Sequence, residues 1–342
     1  MTAVGILSMG ACVPKDEIRN EDIADRFGVT PDWFVQRTGV RTRRYAAPDE
    51  AVSDLSIRAA EQALERAGVS PDRVTHLIVA TSTPDAPLPP TSCLVQEAIG
   101  ARNTAAFDLN ASCNGFLHGV ALARNLVRGN PDELVLVIGA DVYSRFLDPK
   151  HRGTIALFGD GAGAALIGAV PDGLGLQDIE LRSHGEAASI LGIDAGGSRL
   201  PATPATLIGR KHFVRMDGKA VAQFVLGEVP GLVARLLDRA GVDPATIDHF
   251  VPHQANGVVI EELVRRVGFT GRTHLTLDRY GNLGSGSMPV TLEDAWRRGA
   301  FAVGDLVLLA GFGSGMNLGA GLLRWSAPPI GVAETSDPKE SR

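Results

Sequence analysis

Cysteine is scarce in this sequence, with only Cys12, Cys93 and Cys113 among 342 residues. Three scattered cysteines exclude a disulfide framework and the usual zinc-ligand spacings. Long apolar runs are lacking too, because no stretch approaches about 18 uninterrupted apolar residues, and the first residues have no charged and apolar leader pattern. We therefore expect a cytoplasmic protein without a membrane-spanning segment.

An excess of basic residues is missing as well. The chain has 33 Lys and Arg residues against 39 Asp and Glu residues, and its formal net charge is −6. A nucleic-acid-binding protein needs a basic face, so nucleic acid is not expected as a partner. A local basic patch for an acidic ligand remains possible. The sequence has no GxxxxGK[ST] phosphate loop and implies no metal or redox cofactor.

Apolar residues are plentiful, at 44% of the chain, and they alternate between two periodicities. Residues 51–68 have apolar side chains at helical spacing, and the compact apolar run THLIVATST (75–83) follows. Strands that are apolar on both faces and alternate with helices are typical of a largely parallel sheet covered on both sides. The pattern predicts an α/β fold.

The sequence contains an internal repeat. LERAGVSPDRVTHLIV, which begins at Leu64, is echoed by LDRAGVDPATIDHFVP, which begins at Leu237. ELVLVIGAD from Glu133 is echoed in the same order by DLVLLAGFG from Asp305. We therefore predict two similar halves, residues 1–172 and 173–325, followed by a flexible polar tail at 326–342. Duplicated folds commonly place a site where the halves meet.

Cys113 lies between a short extended run and a helix, in DLNASCNGFLHG. A helix N-terminus offers unpaired N–H groups and a positive dipole end, and both lower the pKa of a thiol. This setting favours a nucleophile, although free cysteine is also a common packing residue. Cys12 and Cys93 lack this setting and are interpreted as packing residues.

Three further motifs carry polar residues that a core would not need. His253 in VPHQAN stands at the end of a predicted strand, and Asn282 in RYGNLGSGSMP lies in a turn between glycines. As a turn residue, Asn282 also has a purely conformational explanation. The glycine-rich turn GFGSG, which contains Ser314, offers N–H groups for an oxyanion hole.

Cys113, His253 and Asn282, in that order and in those motifs, resemble the Cys-His-Asn set of the β-ketoacyl-acyl-carrier-protein synthase III family. The resemblance extends from TPDWFVQRTGVRTRR near the start to GFGSGMNLGAGLLRW near the end. It implies a thiolase fold, in which two α/β halves form a layered αβαβα arrangement. It also implies a homodimer whose interface includes the region around residues 85–120.

The resemblance further implies a reaction. Cys113 would take an acyl group from acyl-CoA, with the N–H groups of Cys113 and Ser314 as the oxyanion hole. His253 and Asn282 would stabilise the enolate formed when a malonyl thioester on acyl carrier protein loses carbon dioxide. The enolate would then attack the acyl group and begin a fatty-acid or polyketide chain.

Substrate-binding residues are implied one position at a time. Trp33, Arg37 and Arg152 match residues that hold the nucleotide end of CoA, where indole and guanidinium groups stack on adenine and pair with phosphate. Asn256 matches a residue of the pantetheine tunnel, and Phe158 matches a bulky residue at the floor of the acyl pocket. A surface Trp–Arg pair and a core phenylalanine are the structural alternatives.

The sequence departs from the family where a carrier protein would dock. A basic residue often follows the QAN segment, but GVVIEE stands here, and only Arg265 and Arg266 further along could replace it. An alternative is therefore an acyltransferase that uses Cys113 but transfers the acyl group to an alcohol, an amine or an unusual carrier. A type III polyketide synthase, a degradative thiolase and a non-catalytic binding module fit the motifs less well.

Overall fold

The computed structural model describes residues 2–330, which form two five-stranded sheets and eleven helices. The strands of the N-terminal sheet are β1 (Ala3–Cys12), β4 (His76–Ala80), β5 (Ala105–Leu109), β6 (Val135–Val142) and β7 (Asp160–Val170). The strands of the C-terminal sheet are β8 (Gly175–Ser183), β11 (His249–Pro252), β12 (Arg272–Thr273), β13 (Leu306–Gly313) and β14 (Asn317–Arg324). Two small ribbons pair β2 (Asp16–Arg19) with β3 (Thr42–Tyr45), and β9 (Leu191–Gly192) with β10 (Arg215–Met216).

The helices range from one turn to 23 residues. They are α1 (Asn20–Ala24), α2 (Pro31–Thr38), α3 (Val52–Ala67), α4 (Thr91–Ala98), α5 (Gly115–Gly129), α6 (Arg152–Ile155), α7 (Pro204–Ile208), α8 (Gly218–Ala240), α9 (Gly257–Val267), α10 (Leu277–Tyr280) and α11 (Ser287–Arg297).

The strand order is the same in the two sheets. The N-terminal sheet runs β1-β7-β6-β4-β5, and the C-terminal sheet runs β8-β14-β13-β11-β12. In each sheet the two pairs at one end are parallel and the two at the other end are antiparallel.

The expectation of largely parallel sheets is therefore wrong, because half of the strand pairs are antiparallel. A short turn joins β13 to β14, and strands joined so closely can pair only as a hairpin. The strands are apolar on both faces because helices cover both faces, which is a matter of layering rather than of strand direction.

The elements stack in five layers. Helices α5 and α11 lie between the two sheets and contact both of them. Helices α3 and α4 cover the outer face of the N-terminal sheet, while α8 and α9 cover the outer face of the C-terminal sheet. All side chains of β6 and β13 are buried, as a strand in the middle of such a stack requires.

Helix α8 is the one helix among residues 2–330 that is long and apolar enough to cross a membrane, as judged by length and composition. Its apolar face, which includes Val229, Leu232 and Leu236, is buried in the C-terminal core. A core helix of this kind passes the same length and composition test.

The predicted tail needs a correction at its beginning. Ser326 donates a hydrogen bond to the Ile6 carbonyl at 2.7 Å, and the Trp296 indole donates to the Pro328 carbonyl at 2.8 Å. Ala327 is buried. These contacts fix 326–328 on the protein, because the segment satisfies buried polar groups there. Residues 331–342 lie outside the described part of the chain.

Candidate active site

A cavity of about 80 Å³ lies where the two halves of the chain meet. Its lining includes Cys113, His253 and Asn282, together with Phe158 and Asn256. Five of the predicted site residues, taken from segments far apart in the sequence, thus share one enclosed space. The cavity lies at the carboxyl ends of the parallel strands, the usual place for a ligand in an α/β sheet.

Cys113 is held in a tight turn between β5 and α5. Residues Ser112–Asn114 form one turn of 3-10 helix, and Ser112 adopts a left-handed conformation with φ of 51°. A non-glycine residue in this region is strained by about 1–2 kcal/mol. The turn places the thiol beside the cavity with only 6% of the residue exposed.

The thiol of Cys113 is protonated at rest. Burial raises the pKa of Cys113 to about 12, and the charge of Asp141 adds to this effect. Hydrogen bonds from Tyr143 and from the backbone lower the pKa but do not outweigh burial. The lowering expected from the helix N-terminus is therefore not the dominant influence in the free protein.

His253 directly follows β11 and is a neutral imidazole. Its backbone N–H donates to the Ala310 carbonyl on β13 at 2.8 Å, and its ring packs edge-on against Phe312 at 5.1 Å between centroids. Burial lowers the pKa of His253 to about 3. Within residues 2–330 its buried Nδ1 atom has no hydrogen-bonding partner. The ring thus enters the site as an uncharged donor or acceptor.

The amide of Asn282 has a fixed orientation. Its Oδ1 atom accepts hydrogen bonds from the Gly284 N–H at 2.9 Å and from the Ser287 hydroxyl at 3.3 Å. Rotating the amide by 180° would place its NH₂ group against these two donors, so the observed orientation is strongly preferred. The Nδ2 group is therefore the part of Asn282 that is free to donate to a ligand.

Phe158 and Asn282 are neighbours through the backbone. The two residues form an isolated parallel bridge, in which the Asn282 N–H donates to the Leu157 carbonyl at 2.7 Å. The Phe158 ring lines the cavity and packs against Tyr143 at 4.8 Å between centroids. Phe158 and Cys113 thus line the same cavity.

The turn after β13 approaches Cys113 closely. A Cβ atom on Gly313 would lie 2.7 Å from the Cys113 backbone nitrogen, so only glycine fits there. The next residue, Ser314, is anchored by its hydroxyl, which donates to the Leu191 carbonyl at 2.5 Å. Its own carbonyl accepts from Asn317 at 2.8 Å. This anchoring brings the Ser314 backbone to the same side of the site as Cys113.

The three residues expected to bind the CoA nucleotide are also brought together. The Arg152 guanidinium lies 4.7 Å from the Trp33 ring centroid, and the Arg37 guanidinium lies 5.8 Å from it. None of the three lines the cavity at Cys113. They form a separate aromatic and cationic cluster, which suits a ligand with a flat ring and negative charge.

Asn256 has a structural role that the sequence did not reveal. It caps helix α9, since its Oδ1 atom accepts from the Val258 and Val259 N–H groups at 2.9 and 3.3 Å. Its Nδ2 group donates to the Arg37 carbonyl at 3.1 Å. Asn256 therefore joins α9 to α2 while it lines the cavity.

Two residues close to Cys113 were missed at the level of sequence. Asp141 is fully buried and accepts hydrogen bonds from Ser82, Thr83 and Ser285. Tyr143 lies two residues further on and lowers the pKa of the Cys113 thiol. Asp141 lies at the carboxyl end of β6 and Tyr143 directly follows that strand, and this position was the available signal.

Helix α9 presents no unpaired arginine of the kind proposed for docking a carrier protein. Arg265 and Arg266 both bind the carboxylate of Glu262, at 2.6 and 2.7 Å. These hydrogen bonds lower the pKa of Glu262 to about 2, so it stays ionised. Elsewhere in residues 2–330, no cluster of three or more His, Cys, Asp or Glu side chains could hold a metal ion.

The fold and the Cys-His-Asn cavity together define a condensing acyltransferase. Two family models match the chain. Residues 107–185 match "3-Oxoacyl-[acyl-carrier-protein (ACP)] synthase III", and residues 237–325 match the C-terminal part of the same family.

Three similar proteins agree with these matches. Acetoacetyl CoA synthase NphT7 from Streptomyces sp. (strain CL190) is 44% identical over 94% of this chain and 98% of its own length. A beta-ketoacyl-[acyl-carrier-protein] synthase III from Desulfitobacterium hafniense is 39% identical over 95% and 99%. The crystal structure of the priming beta-ketosynthase from the R1128 polyketide biosynthetic pathway has a TM-score of 0.88 at 30% identity, over 96% and 98%.

The chain belongs to the 3-oxoacyl-[acyl-carrier-protein] synthase III family. The predicted thiolase fold is confirmed, and so is the prediction of an acyltransferase of the condensing type.

Proposed function

We propose that this protein joins an acyl group to a malonyl thioester with loss of carbon dioxide, through an acyl thioester on Cys113. The main support is the shared cavity, because it places a thiol, a neutral imidazole and an oriented amide around one small space. Each group matches one requirement of the reaction.

The first half-reaction forms the acyl-enzyme. The Cys113 sulfur attacks the carbonyl carbon of acyl-CoA, the bond to the CoA sulfur breaks, and the thiol proton leaves with CoA as its free thiol. The negative charge on the carbonyl oxygen is received by the backbone N–H groups of Cys113 and Ser314. The glycine at 313 allows these two segments to approach each other.

The second half-reaction generates the carbon nucleophile. The malonyl carboxylate leaves as carbon dioxide, and its electron pair moves into the thioester as an enolate. His253 and the Nδ2 group of Asn282 donate hydrogen bonds to the enolate oxygen. A neutral imidazole suits this role, because it stabilises the oxygen without supplying an acidic proton to the carbanion.

The enolate carbon then attacks the acyl carbonyl on Cys113. A carbon–carbon bond forms, the bond to the Cys113 sulfur breaks, and the released thiolate takes up a proton. Phe158, with Tyr143 behind it, bounds the space beside the sulfur and limits the size of the acyl group.

We propose further that Trp33, Arg37 and Arg152 bind the adenine and phosphates of CoA, and that Asn256 contacts pantetheine where it lines the cavity. No cofactor besides the acyl-CoA substrate is expected. The homodimer and the cytoplasmic location remain predictions. The duplication of halves 1–172 and 173–325 is a proposal supported by the matching strand orders.

A second candidate concerns the form in which malonate arrives. Acyl carrier protein is the expected partner, but Arg265 and Arg266 both already pair with Glu262, and together with Glu261 the charges of α9 sum to zero. A similar protein is named for a CoA product. Malonyl-CoA is therefore the alternative acceptor.

The test is loading with a panel of acyl-CoA substrates, followed by malonyl-CoA or malonyl-carrier protein in parallel. We expect an acyl adduct on Cys113 that disappears together with carbon dioxide release and formation of a β-ketoacyl thioester. An adduct that leaves only when an alcohol or amine is added would replace the proposal with the non-condensing alternative. The better of the two malonyl donors identifies the acceptor.

A further inference from the structure

A series of buried hydrogen bonds, made by side chains and by backbone groups, connects the residue after His253 to the amide of Asn282. It begins at Gln254, whose side chain is fully buried. The Nε2 group of Gln254 donates to the Pro252 carbonyl at 2.8 Å. Its Oε1 atom accepts from the Thr276 and Leu277 N–H groups at 2.9 and 3.2 Å. Gln254 thus ties the end of β11 to the start of α10.

The connection continues through two threonines. The Thr276 and Thr291 hydroxyls are 2.7 Å apart, and the Thr291 hydroxyl donates to the Ser287 carbonyl at 2.8 Å. Because a hydroxyl has a single proton, Thr291 must accept from Thr276. The direction of every hydrogen bond in this part of the chain is therefore fixed.

Ser287 completes the connection to the active site. Its hydroxyl accepts from the Leu283 N–H at 3.0 Å and donates to the Asn282 Oδ1 atom at 3.3 Å. This bond holds the Oδ1 atom away from the ligand and leaves the Nδ2 group as the donor. The members are buried, so they cannot exchange these partners for bulk water without opening the structure.

We propose that four residues position His253 and Asn282 relative to each other for decarboxylation: Gln254, Thr276, Thr291 and Ser287. The proposal rests on the function proposed above. None of the four is itself expected to contact the reacting atoms. Their effect is to hold two donors, carried by segments that are separate in the sequence, at a fixed spacing around one enolate oxygen.

Substitutions in this network should therefore change the rates of acylation and decarboxylation by different amounts. Attack by Cys113 depends on the turn before α5, and within residues 2–330 none of the four side chains is hydrogen-bonded to that turn. Decarboxylation depends on both donors, and a displacement of about 1 Å in a catalytic group can cost about 100-fold in rate. A merely structural role would lower both half-reactions together.

The test uses Ser287→Ala and Thr291→Val, each of which removes one hydroxyl, and Gln254→Met, which removes both amide partners at nearly constant size. Ser8→Ala is the matched control, because it removes a buried hydroxyl that donates to the Ala63 carbonyl at 2.5 Å in the other half. Acylation is measured as the rate of Cys113 adduct formation, and decarboxylation as carbon dioxide release from malonyl-CoA. We expect acylation within about twofold of the wild type and decarboxylation lower by about 10- to 100-fold in the three variants.

A second measurement does not depend on activity. The Leu283 and Gly284 amides bond to Ser287 and to Asn282, so hydrogen exchange over 282–286 reports on the network directly. We expect faster exchange there in Ser287→Ala and no change in Ser8→Ala. Equal loss of both half-reactions, or unchanged exchange, would overturn the proposal. If the wild type releases no carbon dioxide while exchange responds as expected, the proposed function fails and the network stands.

Discussion

Two equivalent turns, one in each half of the chain, have opposite roles. Residues Ser112–Asn114 precede α5, and residues Gly284–Gly286 precede α11; both are single 3-10 turns that lead into a helix between the sheets. The first turn carries Cys113, whose thiol faces the cavity. The second carries Ser285 at its centre, and the Ser285 hydroxyl faces inward.

The difference lies in what binds each side chain. The Ser285 hydroxyl oxygen lies 2.7 Å from the Ala80 carbonyl and 2.8 Å from the Asp141 carboxylate, and its single proton can be donated to one of them at a time. The Ser285 N–H donates to Asp141 as well. A Cβ atom on Gly284 would come within 2.2 Å of that carboxylate. The second turn is therefore held rigidly under Asn282, while the first leaves its sulfur available. In the proposed mechanism, the same local structure carries the nucleophile in one half and supports Asn282 in the other.

Replacing Cys113, the proposed nucleophile of the first turn, should have the largest effect on activity. Cys113→Ala removes the only thiol among the residues that line the cavity, so acyl-enzyme formation from acyl-CoA should fall by at least about 10³-fold. Intact-protein mass spectrometry measures the adduct. Cys93→Ala is the control, because Cys93 is exposed and lies on α4. Persistent labelling of the Cys113→Ala protein at another residue would contradict the assignment.

Removal of His253 should affect only the second half-reaction. His253→Ala deletes one of two enolate donors, and the expected loss in decarboxylation is about 10²- to 10³-fold, with acylation retained. Carbon dioxide release and adduct formation are measured on the same preparation. His76→Ala is a suitable control, because His76 binds Glu133 at 3.0 Å at the opposite end of β4. Full carbon dioxide release by His253→Ala would exclude the role.

The pH dependence of alkylation tests whether the Cys113 thiol in the first turn is protonated near neutral pH. Alkylation requires the thiolate, and the pKa of Cys113 is raised to about 12. The rate of iodoacetamide labelling should therefore rise about tenfold per pH unit between about pH 6 and about pH 9 without levelling off. Asp141→Asn removes a charge that raises this pKa and should increase the rate at each pH. A plateau near neutral pH in the wild type would show a lowered pKa instead.

Substitutions in the cluster of Trp33, Arg37 and Arg152, which we propose binds CoA, should change the affinity for acyl-CoA rather than the rate of the chemical steps. Arg152→Ala removes the guanidinium nearest the Trp33 ring, and KM for acyl-CoA should rise about tenfold with kcat little changed. Steady-state kinetics with acyl-CoA gives both constants. Arg298→Ala, at the exposed residue directly after α11, serves as a surface control. An unchanged KM would remove Arg152 from the CoA site.

Ser285→Ala should have the smallest effect on activity and a clear effect on stability. It deprives the buried Asp141 of one hydrogen bond and should lower the free energy of unfolding by about 1–3 kcal/mol. Urea denaturation measures the change. Thr246→Ala, which removes an exposed hydroxyl, is the control. Equal stability of the two variants would show that Ser285 does not anchor its turn.

The sequence sufficed to predict the α/β fold class from its periodicity. The three residues that meet in the cavity were predicted from the resemblance of their motifs to one family, since Asn282 by itself also has a purely conformational explanation. Asp141 and Tyr143 escaped notice, since their importance arises from contacts with segments that only folding brings near. The same holds for Gln254 and its bond to Thr276. By contrast, the pairing of Glu262 with Arg265 and Arg266 follows from helical spacing and was predictable in principle.

Strand direction was the main error in the fold. Helices on both faces make any strand apolar throughout, so the composition of β7 and β14 could not distinguish antiparallel from parallel pairing. The beginning of the tail was misjudged for a related reason. SAPP is polar and rich in proline, yet its backbone and hydroxyl groups satisfy partners on β1 and α11.

The most direct test of the division of labour between the two turns is the fate of acyl-Cys113 in Asn282→Ala. The variant is loaded with acyl-CoA, freed of excess substrate, and mixed with malonyl-CoA or malonyl-carrier protein while intact mass is followed over time. If the second turn supplies the enolate donor, the adduct persists in Asn282→Ala and disappears in the wild type. If the variant discharges its adduct as fast as the wild type and releases carbon dioxide, the assignment of Asn282 is wrong.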